Sequence, residues 1–150
     1  MKENYFKLIM MVERLRSIFS ATMSVELDRM NIRDLTNVQS ILLYSIGDGC
    51  ISVADIKNKK HYSGSNVSYN LRIMVENGYL KQEQCEHDLR INYVKLSKKG
   101  FKLYEKLDEL FKSHSYDLEQ KGISKSNLDD ILSFGKHLEI FWGNLKMYDI

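Results

Sequence analysis

Apolar positions that step by three and four dominate both ends of the chain. Near the start, Tyr5, Leu8, Val12, Leu15 and Phe19 follow this step, the seam of a helix packed on other helices. One long helix is predicted over residues 5–30. "TNVQSILLYSI" follows and opens with Thr36 and Gln39 in a capping-box arrangement. "GDG" at 47–49 ends that helix, because glycine tolerates the left-handed geometry past a helix C-terminus. "CIS" then reads as a short strand, and Ser52 with Asp55 repeats the capping pattern before a brief helix, "VADIKNK".

The stretch "YSGSNVSYNLRIMVENGYL", residues 62–80, reads as another short helix, with Ser63 as N-cap and Gly78 as its stop. Val67, Leu71, Met74 and Val75 form its apolar stripe. Its other face carries Ser65, Asn66, Ser68, Tyr69, Asn70 and Arg72, where a surface helix usually has Glu and Lys. "YLKQEQC" and "INYVKLS" are strand-like runs around the charged tip "EHDLR", a hairpin pattern. Ser97 opens a long helix with Tyr104, Leu107, Phe111, His114 and Leu118 on its seam. Gly122 breaks it. Ser126 with Asp129 is predicted to cap the last helix, where Leu128, Ile131, Gly135, Leu138, Trp142 and Leu145 keep the same step.

The pattern predicts a mainly α (α+β) fold: a helix-turn-helix and a charged-tip hairpin between long N- and C-terminal helices. Seams this long, split between both termini, favour burial against a second copy. A homodimer is expected. The chain should form a single domain over 1–150, with dimerisation helices at about 1–33 and 108–150 and a helix-turn-helix and hairpin lobe at about 34–107.

Composition narrows the class. With 43% hydrophobic and 28% charged residues, the chain is not a disordered tail. No apolar run approaches the roughly 20 residues of a membrane span. "MKENYFKLIMMVERLRSIF" alternates charge with apolar residues, unlike a signal peptide, so no membrane contact and a cytoplasmic location are expected. Cys50 and Cys85 make no CxxC pair and read as reduced packing residues.

Charge is uneven along the chain. Residues 1–51 hold six Lys/Arg and six Asp/Glu, residues 52–106 eleven and six, and residues 107–150 five and eight. A basic middle between neutral and acidic ends points to an anionic partner for the middle. Hydroxyls, amides and an arginine on one short helix suit base edges and phosphates. Asn66 and Asn70 lie four apart and share a face.

Catalytic patterns are missing: no GxGxxG, phosphate loop, HExxH or GxSxG occurs. The histidines at 61, 87, 114 and 137 are scattered, and Cys85 with His87 supplies only two ligands where a closed zinc site needs four. No enzyme activity, cofactor or metal is expected.

Taken together, the helix-turn-helix, charged-tip hairpin and flanking helices resemble the MarR family of winged-helix transcription regulators over nearly the whole chain. The most specific segment is "NGYLKQEQCEHDLRINYVKLSKKG", residues 77–100, with Asp88 and Arg90 in the wing and then Leu96, Ser97 and Gly100. Leu89 stands where the commoner family pattern has an arginine. "MMVERL" and "YSGSNVSYNL" further resemble the LdtR/PetP-type branch of alphaproteobacteria, which implies control of an L,D-transpeptidase gene and cell-wall stress.

The resemblance implies double-stranded DNA as partner. Ser63, Ser65, Asn66, Ser68, Tyr69, Asn70 and Arg72 would meet the major groove and its flanking phosphates. Arg90 would enter the minor groove, with Asp88 orienting it or closing the turn, and Lys95, Lys98 and Lys99 would line phosphates. It also implies a small aromatic or phenolic effector near Phe19, Tyr44 and Tyr62. The alternative is a winged helix that pairs proteins without reading DNA.

Overall fold

The computed structural model describes residues 1–58 and 66–145. Helix α1 runs Lys2–Arg29 and α2 runs Asn37–Ile46. Strand β1 (Cys50–Ser52), α3 (Val53–Asn58), α4 (Val67–Glu76), β2 (Leu80–Gln84) and β3 (Asn92–Leu96) follow. Helices α5 (Lys98–Gln120) and α6 (Lys125–Leu145) complete the chain. The fold is mostly helical with one small antiparallel sheet, as the winged helix-turn-helix pattern predicts.

The described chain divides into two compact units, Met1–Lys106 and Leu107–Ile150. In the first, the capping box of α2 forms as predicted: the Thr36 hydroxyl accepts from the Gln39 N–H, and the Gln39 side chain accepts from the Thr36 N–H. Gly47 ends α2 at φ 67°, a conformation that glycine adopts without steric cost. The Ser52 hydroxyl accepts from the Asp55 N–H at 3.0 Å, so α3 also starts where expected. The sheet order is β1-β3-β2, with Ile51 and Gln82 both opposite Val94.

Burial follows the apolar stripes. Met23 and Leu27 of α1, Leu42, Leu43 and Ile46 of α2, Ile56 of α3, and Val67, Leu71 and Met74 of α4 are buried, as are Tyr79, Leu80, Val94 and Leu103. Each large apolar side chain removed from water stabilises the lobe by about 1.5–3 kcal/mol. The start of α1 differs: Phe6, Met10, Leu15, Ile18 and Phe19 are exposed.

In the second unit, Gly122 at φ 84° separates α5 from α6, as its position in the sequence predicts. The cap of α6 lies two residues earlier than Ser126. Ser124 and Asn127 bond reciprocally, the Ser124 N–H donating to Asn127 Oδ1 at 2.9 Å and the Asn127 N–H to Ser124 Oγ at 3.3 Å. Asparagine fills the return position of the box, which moved the start. Helix α6 buries no residue and exposes Ile131, Leu132, Phe134, Ile140 and Phe141. Among the described residues, no helix is long and apolar enough to cross a membrane.

Candidate nucleic-acid interface

Helix α4 is anchored on one side by Val67, Leu71 and Met74 and presents Ser68, Tyr69 and Arg72 on the other. Helical spacing alone sets this division. The helix starts at Val67 with Asn66 as N-cap, and the Asn66 side chain makes no capping hydrogen bond. Its amide is exposed. Ser63 and Ser65, predicted to cap and extend the polar row, lie outside the described residues, as does Tyr62.

Asn70 departs from the expected pairing with Asn66. It is half-buried, and its Oδ1 accepts from Nε2 of buried Gln39 at 3.1 Å. Gln39 therefore closes the α2 capping box with one end and holds α4 with the other. A shared face does not imply shared access, because α2 covers the Asn70 end of that face. Arg72 is also partly engaged: its guanidinium sits 5.4 Å from the Tyr69 ring centroid and 3.7 Å from Glu76.

The exit of α4 is held by a polar cluster that the sequence did not disclose. Gly78 (φ 81°) ends the helix, and the Tyr79 N–H donates back to Met74 O at 2.9 Å. The Tyr79 hydroxyl then donates to Asp34 at 2.7 Å, and the Asn77 amide donates to the Asp34 carbonyl at 2.7 Å. Lys99 Nζ reaches the Asn77 carbonyl at 2.8 Å and Asp34 at 3.4 Å while lying 4.2 Å from the centre of the Tyr79 ring. Lys99, expected to line phosphates, faces this cluster in the folded chain. Burial pushes the Asp34 carboxyl up, but bonds from Tyr79 and Lys99 and the charge of Lys99 outweigh it and hold Asp34 below the usual carboxylate range. Burial first, and then Asp34, push the Tyr79 phenol well above its ordinary value.

The first turn of α5 approaches the same segment. Gly100 lies so close that a Cβ there would stand 2.0 Å from the Tyr79 carbonyl oxygen. The Ser97 hydroxyl accepts from the Gly100 N–H at 3.0 Å, the predicted start of this helix.

In the wing, Asp88 bonds both the backbone and the side chain of Arg90. Its Oδ1 accepts from the Arg90 N–H at 3.0 Å and Nε at 3.1 Å, and Oδ2 accepts from Nη2 at 3.3 Å. These bonds from Arg90 hold the Asp88 carboxyl below its ordinary value. Lys95 is paired with Glu83 at 2.6 Å, which raises its ammonium pKa. Lys95 and Lys98 line an open groove of about 530 Å³ with Asp48, Cys50, Phe101 and Lys102.

Of the residues expected near an effector, Phe19 is exposed on α1, while Tyr44 is half-buried and stacks on Tyr104 with centroids 5.1 Å apart. Among the described residues, no group of three or more His, Cys, Asp or Glu could hold a metal ion.

Comparison with known proteins places this geometry among DNA-binding folds. A winged helix DNA-binding domain profile matches residues 35–100. The exopolysaccharide II synthesis transcriptional activator ExpG of Rhizobium meliloti (strain 1021) is 30% identical over 146 residues, covering 97% of this chain and 75% of that protein. Among solved structures, a cysteine-to-serine mutant of E. coli MarR complexed with operator DNA gives a TM-score of 0.71 at 18% identity, over 90% of this chain and 95% of that one. The S. aureus MepR–DNA complex gives 0.68 at 20% identity, over 89% and 95%. The transcriptional regulator SlyA gives 0.74 at 14% identity, over 92% and 98%.

Proposed function

The chain belongs to the winged-helix DNA-binding transcription regulators and shares the fold of MarR, and on that premise we propose that it acts as a homodimer reading an inverted-repeat operator. One observation carries this: Asn66, Ser68, Tyr69 and Arg72 stand exposed on and beside α4 while its opposite face is locked into the core. A helix fixed in this way offers its N-terminal polar groups to the major groove. Asn66 reads a base, Ser68 and Tyr69 meet base edges or phosphates, and Arg72 meets the backbone. Ser63 and Ser65, just before α4 in sequence, are proposed as further DNA contacts. Arg90, exposed at the wing tip, meets the minor groove. Asn70 acts through Gln39 by positioning α4.

Dimerisation is assigned to helices at about residues 1–33 and 108–150, because α1 and α6 expose large apolar side chains. Half-site centres then fall about one helical turn, roughly 10 bp, apart. Footprinting on a duplex selected from random DNA tests both points. Two symmetric protected half-sites are expected, and sedimentation should give a dimer that Phe134→Glu weakens. A monomeric wild type, or binding indifferent to half-site spacing, overturns the proposal.

The regulated gene is proposed to serve the cell envelope. Two features support this: the relative named for activating exopolysaccharide II synthesis, and the LdtR/PetP-type resemblance of residues 10–15 and 62–71, which points to an L,D-transpeptidase gene. A small aromatic or phenolic effector near Phe19, Tyr44 and Tyr62 is proposed to modulate binding, since rings and a phenol suit such a ligand. Operator DNA would then weaken ligand binding by the factor by which ligand weakens DNA binding. Unchanged calorimetric affinity with and without the selected duplex would exclude regulation from that site.

A further inference from the structure

The crest of the wing carries an apolar side chain that the folded protein does not use. Ile91 N–H donates to Asp88 O at 3.0 Å, and Cys85 N–H donates to Ile91 O at 2.9 Å, so the tip is a closed turn with Leu89 and Arg90 at its centre. Three hydrogen bonds from Arg90 converge on the Asp88 carboxylate. Leu89 joins no core and is 69% exposed. It stands among Glu86, His87, Asp88 and Arg90, in a segment where apolar surface gains nothing in the free protein.

We propose that Leu89 is a minor-groove wedge that gives the wing a preference for easily unstacked base steps. This rests on the proposal that the wing tip meets DNA. The tip is poorly built for attraction by charge alone, because the Arg90 guanidinium already shares Asp88 at 3.1 Å. A rigid turn that projects a leucine gains instead by burying it against deoxyribose edges or between partly parted bases, as apolar wedges do. Pyrimidine–purine steps such as TpA unstack readily, whereas A-tracts are stiff and narrow. The wedge therefore selects the flank that the wing reaches and leaves the bases under α4 to the recognition helix. An arginine at position 89 would do the reverse and favour the narrow, strongly negative groove of an A-tract.

The experiment uses the full chain and the duplex best retained from a randomised library, remade with either TpA steps or an A-tract at the wing-facing flanks. Wild type should prefer the TpA flank by about tenfold, the cost of one mismatched pair. L89A should bind the same central sequence without that preference, and L89R should favour the A-tract with a steeper salt dependence. 2-Aminopurine placed at the flanking step should brighten when wild type binds and stay dark with L89A. Specific binding with no flank preference, or a preference that survives in L89A, overturns the wedge alone. Failure to bind any duplex better than random DNA overturns both the wedge and the DNA-reading role beneath it. L89A is expected to melt with wild type, since the side chain supports no packing.

Discussion

The phenol of Tyr79 donates a 2.7 Å hydrogen bond to Asp34, tying the exit of α4 to the loop ahead of α2. Tyr79 is otherwise buried, and Lys99 covers its ring. Two ionisable groups thus share one bond, and each shifts the other.

Their shifts predict opposite pH limbs of stability. Asp34 is held below its ordinary value, so its contribution is present above about pH 4, the unfolded carboxylate value, and is lost as pH falls through the lower folded value. The Tyr79 phenol is raised, so its contribution is complete below about pH 10 and is lost as pH rises beyond it. Asp34→Asn should flatten the acid limb and Tyr79→Phe the alkaline limb, with a neutral-pH loss of about 1 kcal/mol for the latter. Urea midpoints measured from pH 3 to 11 check this; unchanged limbs in both variants would refute it.

Gly100 should tolerate no side chain. A Cβ would meet the Tyr79 carbonyl oxygen at 2.0 Å, and backbone, unlike a flexible side chain, cannot step aside cheaply. Gly100→Ala should cost about 2 kcal/mol or more, since overpacking forces backbone shifts. Calorimetry should show a clear fall in Tm, and a melting curve matching wild type would contradict the close approach.

Gln39 and Asn70 should be energetically coupled through their 3.1 Å bond. Either alanine variant strands a partner, Gln39 being buried, so the losses should not add. A double-mutant cycle is expected to show about 1 kcal/mol of coupling, typical of residues in contact. Strict additivity would mean Asn70 is free to read bases as the sequence pattern expected.

Arg90→Ala and Asn66→Ala should fail in different ways. Removing Arg90 takes a cation from the wing, so affinity falls and the salt slope drops by about 1. Asn66 makes no capping bond, so its loss should spare stability and slope and relax one base position. Binding titrations over a range of salt, with each base varied in turn, separate the two.

Much of the fold was legible because it depends on local rules. The Thr36–Gln39 box, the Ser52 and Ser97 caps, the stops at Gly47, Gly78 and Gly122 and the wing hairpin all arise from short-range backbone chemistry. The buried stripe of α4 and its polar face follow from helical spacing. What the chain could not declare is which polar groups meet each other across elements. Asn70, equivalent to Asn66 by spacing, is taken by Gln39 from 31 positions away, and Lys99, one of several lysines near the wing, is turned onto Asp34 from 65 away. Periodicity assigns a side chain to a face, but only the packing of α2 and α5 against that face decides whether water, DNA or another side chain receives its hydrogen bonds.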